Sequence, residues 1–321
     1  MPKNLFHLII AGILISILPG IAKSQGDNPT YDFLNIIPSA RASALAGAFE
    51  TYTNDPNIIF YNPAGLSTIT NKQLSAGFGK YLLDINFGDA AFAYKYKDIG
   101  WLGVAVKYIN YGKFDYTDEN GNALGTFHAN DVMFDVGYSN LIYGRVNYGI
   151  NLKFIYSQIA DYKSTAIAGD LGLMYVVPSE ELSIGFTINN YGKQISSYIN
   201  SKERLPLDIR LGVSKKLEHL PLRLSVSLSN LGQGNMHFLD VGRLKYFAIG
   251  GEFELSDYVS ARIGYNNQQR QDMQVGTSFG LSGFSGGIGI KFLEKYKFDY
   301  SLNSFGKIGT MHRFDVGYAF N

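Results

Sequence analysis

The chain has 321 residues, 46% of them hydrophobic, with 28 Lys+Arg against 27 Asp+Glu and no cysteine. A net charge of +1 offers no basic footprint for nucleic acid, and the missing cysteine excludes disulfides, thiol chemistry and a lipoprotein anchor together. The 23 tyrosines, 22 phenylalanines and 36 glycines favour sheet over helix bundle, and no stretch beyond Ile21 is long and apolar enough for a spanning helix.

In chain order, Lys3 gives a positive start, Leu5 to Leu18 is an apolar run, Pro19-Gly20 breaks it, and Ala22-Lys23-Ser24 ends in small residues. That order reads as a secretory signal over residues 1–24 with cleavage near Gln25; the rival reading is an uncleaved anchor helix, for which the run is short. Residues 25–71 are too polar and too interrupted by Pro and Gly to form wall strands. Within them, Ser39 is a candidate N-cap and Arg41 to Phe49 is Ala-rich, which predicts a short, closely packing helix. Asn54-Asp55-Pro56 and Asn62-Pro63-Ala64-Gly65-Leu66 supply turn formers, because Asn and Asp bond back to their own backbone and proline fixes its torsion.

From Gln73 onward the pattern has period two. Leu222, Leu224, Val226 and Leu228 alternate with Arg223, Ser225, Ser227 and Ser229, and the same alternation recurs over 182–189, 207–214 and 313–320. Such runs are about ten residues long, the length a tilted strand needs to cross a bilayer. About fourteen strands are predicted, beginning near Gln73, Phe87, Trp101, Asp131, Arg145, Ala166, Leu182, Leu205, Pro221, Leu244, Tyr258, Phe284, Lys297 and Met311. Tight turns at Lys97-Asp98, Leu141 to Gly144, Pro178 to Glu180, Lys216 to Leu220, Ser256-Asp257 and Glu294 to Tyr296 alternate with long connections over 110–130, 192–204, 231–243 and 266–283. With periplasmic termini, every tight turn is periplasmic and every long loop outside, the asymmetry of outer-membrane barrels.

The fold class so read is all-β: a transmembrane antiparallel β-barrel of about 14 strands over residues 72–321, with residues 25–71 as an N-terminal plug, in the outer membrane and in contact with its lipid. A barrel of this size has a lumen that wall side chains cannot fill, so a plug is physically expected. Tyr94, Tyr96, Tyr108, Tyr111, Tyr138, Tyr143 and Tyr148 fall towards strand ends, where an interfacial aromatic belt would sit.

The ordered string S-A-R-x-x-A-L-x-G-A-F, N-D-P and N-P-A-G-L resembles the N-terminal signature of the PorV/PorQ family of type IX secretion outer-membrane proteins. These are themselves similar to long-chain fatty-acid transporter (FadL-type) barrels. Its plug-motif positions here are Ser39, Arg41, Ala44, Leu45, Gly47, Phe49, Asn54, Asp55, Pro56, Asn62, Pro63, Ala64 and Gly65. Leu45-Ala46-Gly47 stands where the family usually shows L-G-G. Phe114-Asp115-Tyr116, Asp299-Tyr300-Ser301 and Thr310 to Phe314 also match, and Tyr31 to Leu34 is nearer the PorQ branch. The resemblance implies a non-enzymatic component of the type IX secretion system that helps carry or attach secreted proteins at the cell surface. Its implied partners are a sortase-like surface peptidase and an accessory attachment protein, met through the loops 110–130 and 266–283. The alternative is a transporter of a hydrophobic small molecule, with an apolar pocket beside Ser39 to Phe49.

No catalytic, metal or cofactor site is predicted. His128, His219, His237 and His312 have no metal-ligand spacing, Gly280-Leu281-Ser282-Gly283 misses a serine elbow by one glycine, and Gly286-Gly287-Ile288-Gly289 reads as a strand relieving crowding. Arg41 is expected either to pair with lumen acids, Asp208 or Glu252, or to be solvated.

Overall fold

The computed structural model describes residues 30–142, 144–199, 201–232, 245–273 and 280–320. The expected signal, residues 1–24, lies outside them, as do the predicted strand start Leu244, Tyr143 and most of the connection 231–243.

Fourteen antiparallel strands close into one ring, each paired with its sequence neighbours and β1 (Gln73–Lys80) with β14 (Thr310–Ala319). Between them run β2 (Asn86–Tyr96), β3 (Gly100–Thr117), β4 (Ala123–Ile142), β5 (Val146–Ile159), β6 (Tyr162–Val177) and β7 (Leu182–Ser196), followed by β8 (Asp208–Lys216), β9 (Leu222–Leu228), β10 (Phe247–Glu254), β11 (Val259–Asn266), β12 (Phe284–Phe292) and β13 (Tyr296–Ser304). Closure removes every edge along the shared height of the wall, which is how an antiparallel sheet satisfies its backbone in lipid.

The alternation decides which solvent the wall faces. Val136, Leu152 and Phe314 are 58%, 63% and 58% exposed, whereas Thr187, Ser225 and Arg313 are 0%, 1% and 1% exposed. Hydrocarbon faces out and polar groups face in, the reverse of a soluble protein and the pattern of a lipid-facing barrel. Aromatic clusters sit at both ends of the outer face: Phe247, Tyr265 and Phe284 at the end where the longer connections lie, and Tyr296, Tyr318 and Phe320 at the end of the tight turns.

The wall is uneven. Strands β3 to β7 have 18, 20, 14, 16 and 15 residues, whereas β8 to β11 have 9, 7, 8 and 8. Three expectations are corrected here. The connection 110–130 is no loop: a bulge between Asn110 and Lys113, with Gly112 at φ 86°, lets β3 and β4 continue as a paired hairpin whose tip is residues 118–122. Its Phe114, Tyr116 and Phe127 alternate as strand residues do, and Phe114 stacks on Phe127 at 5.2 Å. Residues 160–161 make a tight turn at the end expected to carry only long loops. Strand β8 starts at Asp208 rather than Leu205, because Pro206 has no N–H to give the ladder.

The N-terminal segment enters at the long-connection end, where Thr30 N donates to Arg204 O at 3.1 Å. It leaves at the tight-turn end, where Gln73 Nε2 donates to Asn54 Oδ1 at 2.6 Å. Between these points it is buried against the inward face of the wall, with Ala42, Leu45, Phe49, Ile58, Ile59, Ala64 and Leu66 each 0% exposed. Room for its backbone comes from paired inward glycines on adjacent strands: Gly103 opposite Gly137, Gly149 opposite Gly172, Gly185 opposite Gly212, and Gly250 opposite Gly264. A Cβ at Gly149 would stand 2.3 Å from the Pro63 carbonyl carbon, and one at Gly264 2.6 Å from Ala46 N. These glycines are a matter of close approach: side chains there would occupy the volume the segment fills.

Candidate functional site

Local chemistry shapes the segment. The helix predicted over Arg41 to Phe49 is only Ala40–Ala44 (α1), because Ala46 and Gly47 take left-handed φ of 56° and 84°. Ser39 is not its side-chain cap: φ is 68°, and its buried Oγ has no partner. Asp315 on β14 takes that role, accepting from Ala40 N at 2.5 Å. Asp55 and Asn62 do act as caps, accepting from Asn57 N and Ala64 N at 3.1 Å each, with Pro56 and Pro63 opening the 3-10 turns that follow. Asn62 Nδ2 also donates to Glu50 O and, across to β6, to Leu173 O. Asn54 Oδ1 accepts from Thr70 and Gln73. Gly65 packs on Ile58, where a Cβ would stand 2.3 Å away. Ala44 and Leu45 fill the places left by Gly287 and by Gly250 with Gly264, and Phe49 stacks on Tyr52 at 4.6 Å.

Around α1 six charges close a ring of alternating sign. Arg41 Nη2 reaches Glu252 Oε2 at 2.7 Å, and Glu252 Oε1 accepts from Arg262 Nε at 2.7 Å. Arg262 Nη1 reaches Asp299 Oδ1 at 2.5 Å, Asp299 Oδ2 lies 3.3 Å from Lys297 Nζ, and Asp55 Oδ2 takes both Lys297 Nζ at 3.1 Å and Arg41 Nη1 at 3.0 Å. Three cations meet three anions, so the cluster is neutral and each carboxylate has two partners. The ring ties the segment (Arg41, Asp55) to β10, β11 and β13. Burial by itself would raise the Asp55 carboxyl, but the Lys297 ammonium and the Arg41 guanidinium outweigh it and hold its pKa at about 2. Arg41 also lies 4.9 Å over the Tyr52 ring. Of the two acids considered for Arg41, Glu252 is in contact and Asp208 is not; Asp208 pairs with Arg210, which also holds Glu50 at 3.1 Å.

Other inward groups hold the segment by its backbone. Lys107 Nζ donates to the carbonyls of Leu34 at 3.0 Å and Ile36 at 2.8 Å. Arg313 donates to Ile37 O and pairs with Asp89, and Asn151 Nδ2 donates to Ile59 O at 2.8 Å. Among the described residues, no group of three or more His, Cys, Asp or Glu is placed to hold a metal.

Beside Ala46 and Gly47, at the long-connection end, the lumen holds a chamber of about 470 Å³. Its walls come from the segment (Asp32, Asn35, Ile36, Ile37), from the short strands β8 to β11, and from Tyr81, Phe305 and Met311. The apolar pocket expected beside Ser39 to Phe49 is therefore present in position but mixed in lining, since Arg210, Ser227, Ser229, Asn266 and Asn303 share it. A smaller space of about 30 Å³, lined by Lys107, Lys153, Asn190 and Arg210, shares Ile36, Ile37, Asp208 and Arg210 with it. The sequence carries no signal for this chamber, because its residues come from six strands, five connections and the N-terminal segment. Below it, Phe49, Tyr52, Ile58, Ile59 and Leu66 close the lumen.

No family model matches the chain, and no curated protein matches it. Solved structures do share the fold. The toluene transporter TbuX of Ralstonia pickettii aligns with a TM-score of 0.60 at 12% identity, over 89% of this chain and 100% of that one. The toluene transporter TodX of Pseudomonas putida aligns at 0.59 and 11%, over 87% and 96%. A FadL homologue of Pseudomonas aeruginosa aligns at 0.55 and 11%, over 88% and 98%. The chain thus has the fold of FadL-type outer-membrane barrels.

Proposed function

We propose that this protein is a non-enzymatic FadL-like transporter that admits a hydrophobic small molecule through the bacterial outer membrane, with residues 25–71 as its plug and residues 72–321 as its barrel. Residues 1–24 are its secretory signal, and the termini and tight turns face the periplasm, leaving the chamber open towards the outside. The observation that carries this reading is the chamber of about 470 Å³ at the long-connection end, within the range of small-molecule sites, roughly 300–1,000 Å³. Three neighbours in fold are named as toluene transporters or FadL relatives, which supports a hydrophobic substrate without fixing it. Passage beyond the chamber requires the plug to shift, and the six-charge ring is the contact that must open or pivot. The test is the initial uptake rate of a labelled monoaromatic hydrocarbon in cells lacking their own copy. Restoring the protein should raise the rate; equal rates with and without it would overturn the reading.

One observation favours a second reading, the type IX secretion component that the motif resemblance implies. The hairpin extension of β3 and β4 rises past its neighbours with Phe114, Tyr116 and Leu124 41%, 55% and 64% exposed, a surface suited to a protein partner such as the sortase-like peptidase or the attachment protein. Deleting the gene and measuring surface and medium proteins by mass spectrometry separates the two: loss of secreted proteins from the surface would favour secretion, and an unchanged set would leave the transporter.

A further inference from the structure

We propose that the chamber selects an uncharged amphiphile, an apolar body carrying a hydroxyl or carbonyl head, over both bare hydrocarbons and carboxylates. The proposal rests on the transporter reading and narrows it to a substrate class. The apolar half of the chamber includes Tyr81 and Phe305, whose rings lie 5.1 Å apart, with Met311 beside them. A flat or chain-like hydrocarbon body fits there by dispersion and burial.

The opposite half ends in two polar groups with unspent capacity. Ser227 is 3% exposed, lines the chamber, and its hydroxyl makes no hydrogen bond among the described residues. Arg210 spends Nε on Asp208 and Nη1 on Glu50 at 3.1 Å, which leaves Nη2 unpartnered among the described residues on a side chain 20% exposed and lining the same space. The two are close by construction. Gly212 on β8 pairs with Ser227 on β9, so Arg210, two residues back on the same inward face, is the diagonal neighbour of Ser227.

Charge then sets the head group. At the head-group position one guanidinium is already shared by two buried carboxylates, Glu50 and Asp208 at 1% and 5% exposure, while the ammonium groups of Lys107 and Lys153 line the adjoining smaller space and Lys245 the chamber itself. A ligand carboxylate at Nη2 would be desolvated beside both acids, against a guanidinium whose charge they already share. A cationic head would meet the free edge of Arg210 first. A hydrocarbon would cover Nη2 and the Ser227 hydroxyl without bonding either, which is the costly arrangement for buried polar groups. A neutral oxygen accepts from Arg210 and, as a hydroxyl, donates to Ser227 Oγ.

The test uses the full-length protein in lipid nanodiscs and four fluorescent probes of one shape: 2-naphthylmethanol, 2-methylnaphthalene, 2-naphthoate and 2-naphthylmethylamine. Background partition into lipid is measured with nanodiscs that carry no protein. The alcohol should bind at least about tenfold more tightly than the other three, each lost hydrogen bond being worth about that factor. Ser227→Ala should weaken the alcohol about fivefold and leave the hydrocarbon unchanged. Asp208→Asn should narrow the gap between alcohol and acid. Equal or tighter binding of the hydrocarbon or the acid, with Ser227→Ala moving neither, would overturn this proposal. A protein that still raises hydrocarbon uptake in cells would then keep the transporter reading; one that binds none of the four and raises no uptake would lose both.

Discussion

Arg41→Ala probes the contact that fixes the N-terminal segment to the wall. Removing the guanidinium leaves Glu252 with Arg262 and Asp55 with Lys297, so neither carboxylate is abandoned, but the six-charge ring acquires a net negative charge in a site where both acids are 3% exposed. Breaking a buried pair costs about 3–5 kcal/mol, and the remaining partners place this case at the lower end, about 3 kcal/mol. Lost contact with the Tyr52 and Phe49 rings acts in the same direction. The wall, closed by fourteen paired strands, does not depend on Arg41. The open population of the segment alone should therefore rise roughly a hundredfold. Limited proteolysis with proteinase K, sampled over time and mapped by mass spectrometry, reads that population directly. The heat-modifiable migration of the barrel reports the wall. Cleavage between residues 30 and 71 at the wild-type rate would refute the reasoning.

Three further outcomes follow from the same contacts. The Asp55 carboxyl is held down at about 2, so its contribution is fully present above its unfolded pKa of about 3.9 and is lost as pH falls through the folded value. Protection of the segment should weaken by about 2 kcal/mol between roughly pH 4 and pH 2, and Asp55→Asn should be less protected at neutral pH with that step missing; an identical acid profile in the variant would contradict the assignment. Gly149→Val would drive a side chain into the Pro63–Ala64 backbone, 2.3 Å from its first atom, and should displace the turn at a cost of about 1–3 kcal/mol or more, seen as faster cleavage there with the barrel intact. Lys107→Met strands the carbonyls of Leu34 and Ile36, and should speed hydrogen exchange across residues 31–37 by roughly ten- to a hundredfold, whereas unchanged exchange would show that these bonds contribute nothing.

The barrel was legible because lipid reverses the usual order of faces. Leu224 and Val226 facing out with Ser225 and Ser227 facing in is a period-two signal that recurs along much of the wall. Turn residues then set the count, down to strand starts at Gln73, Leu182 and Phe284. The β3–β4 extension was hidden because Asn110, Asn120-Gly121-Asn122 and Asn130 carry turn chemistry, and only a bulge at Gly112 lets the strands pass through it. The glycine groove was invisible for a different reason: Gly149 and Gly172 become one feature only when strand register sets them opposite each other. Ring members Arg262, Lys297 and Asp299 are likewise ordinary inward strand residues until closure brings β10, β11 and β13 around α1. Ser39 looked like a cap by residue type, but the capping carboxylate came from Asp315, 275 residues away in sequence.

The most direct measurement locks the segment to the wall and follows uptake. The chain has no cysteine, so Ser43→Cys with Asn303→Cys, replacing a pair whose side chains touch at 2.5 Å, introduces the one disulfide available to it. In cells carrying this variant, hydrocarbon uptake should fall to the rate without the protein when the pair is oxidised and recover on reduction. Uptake that is unchanged by oxidation would contradict passage through a lumen opened by movement of the segment.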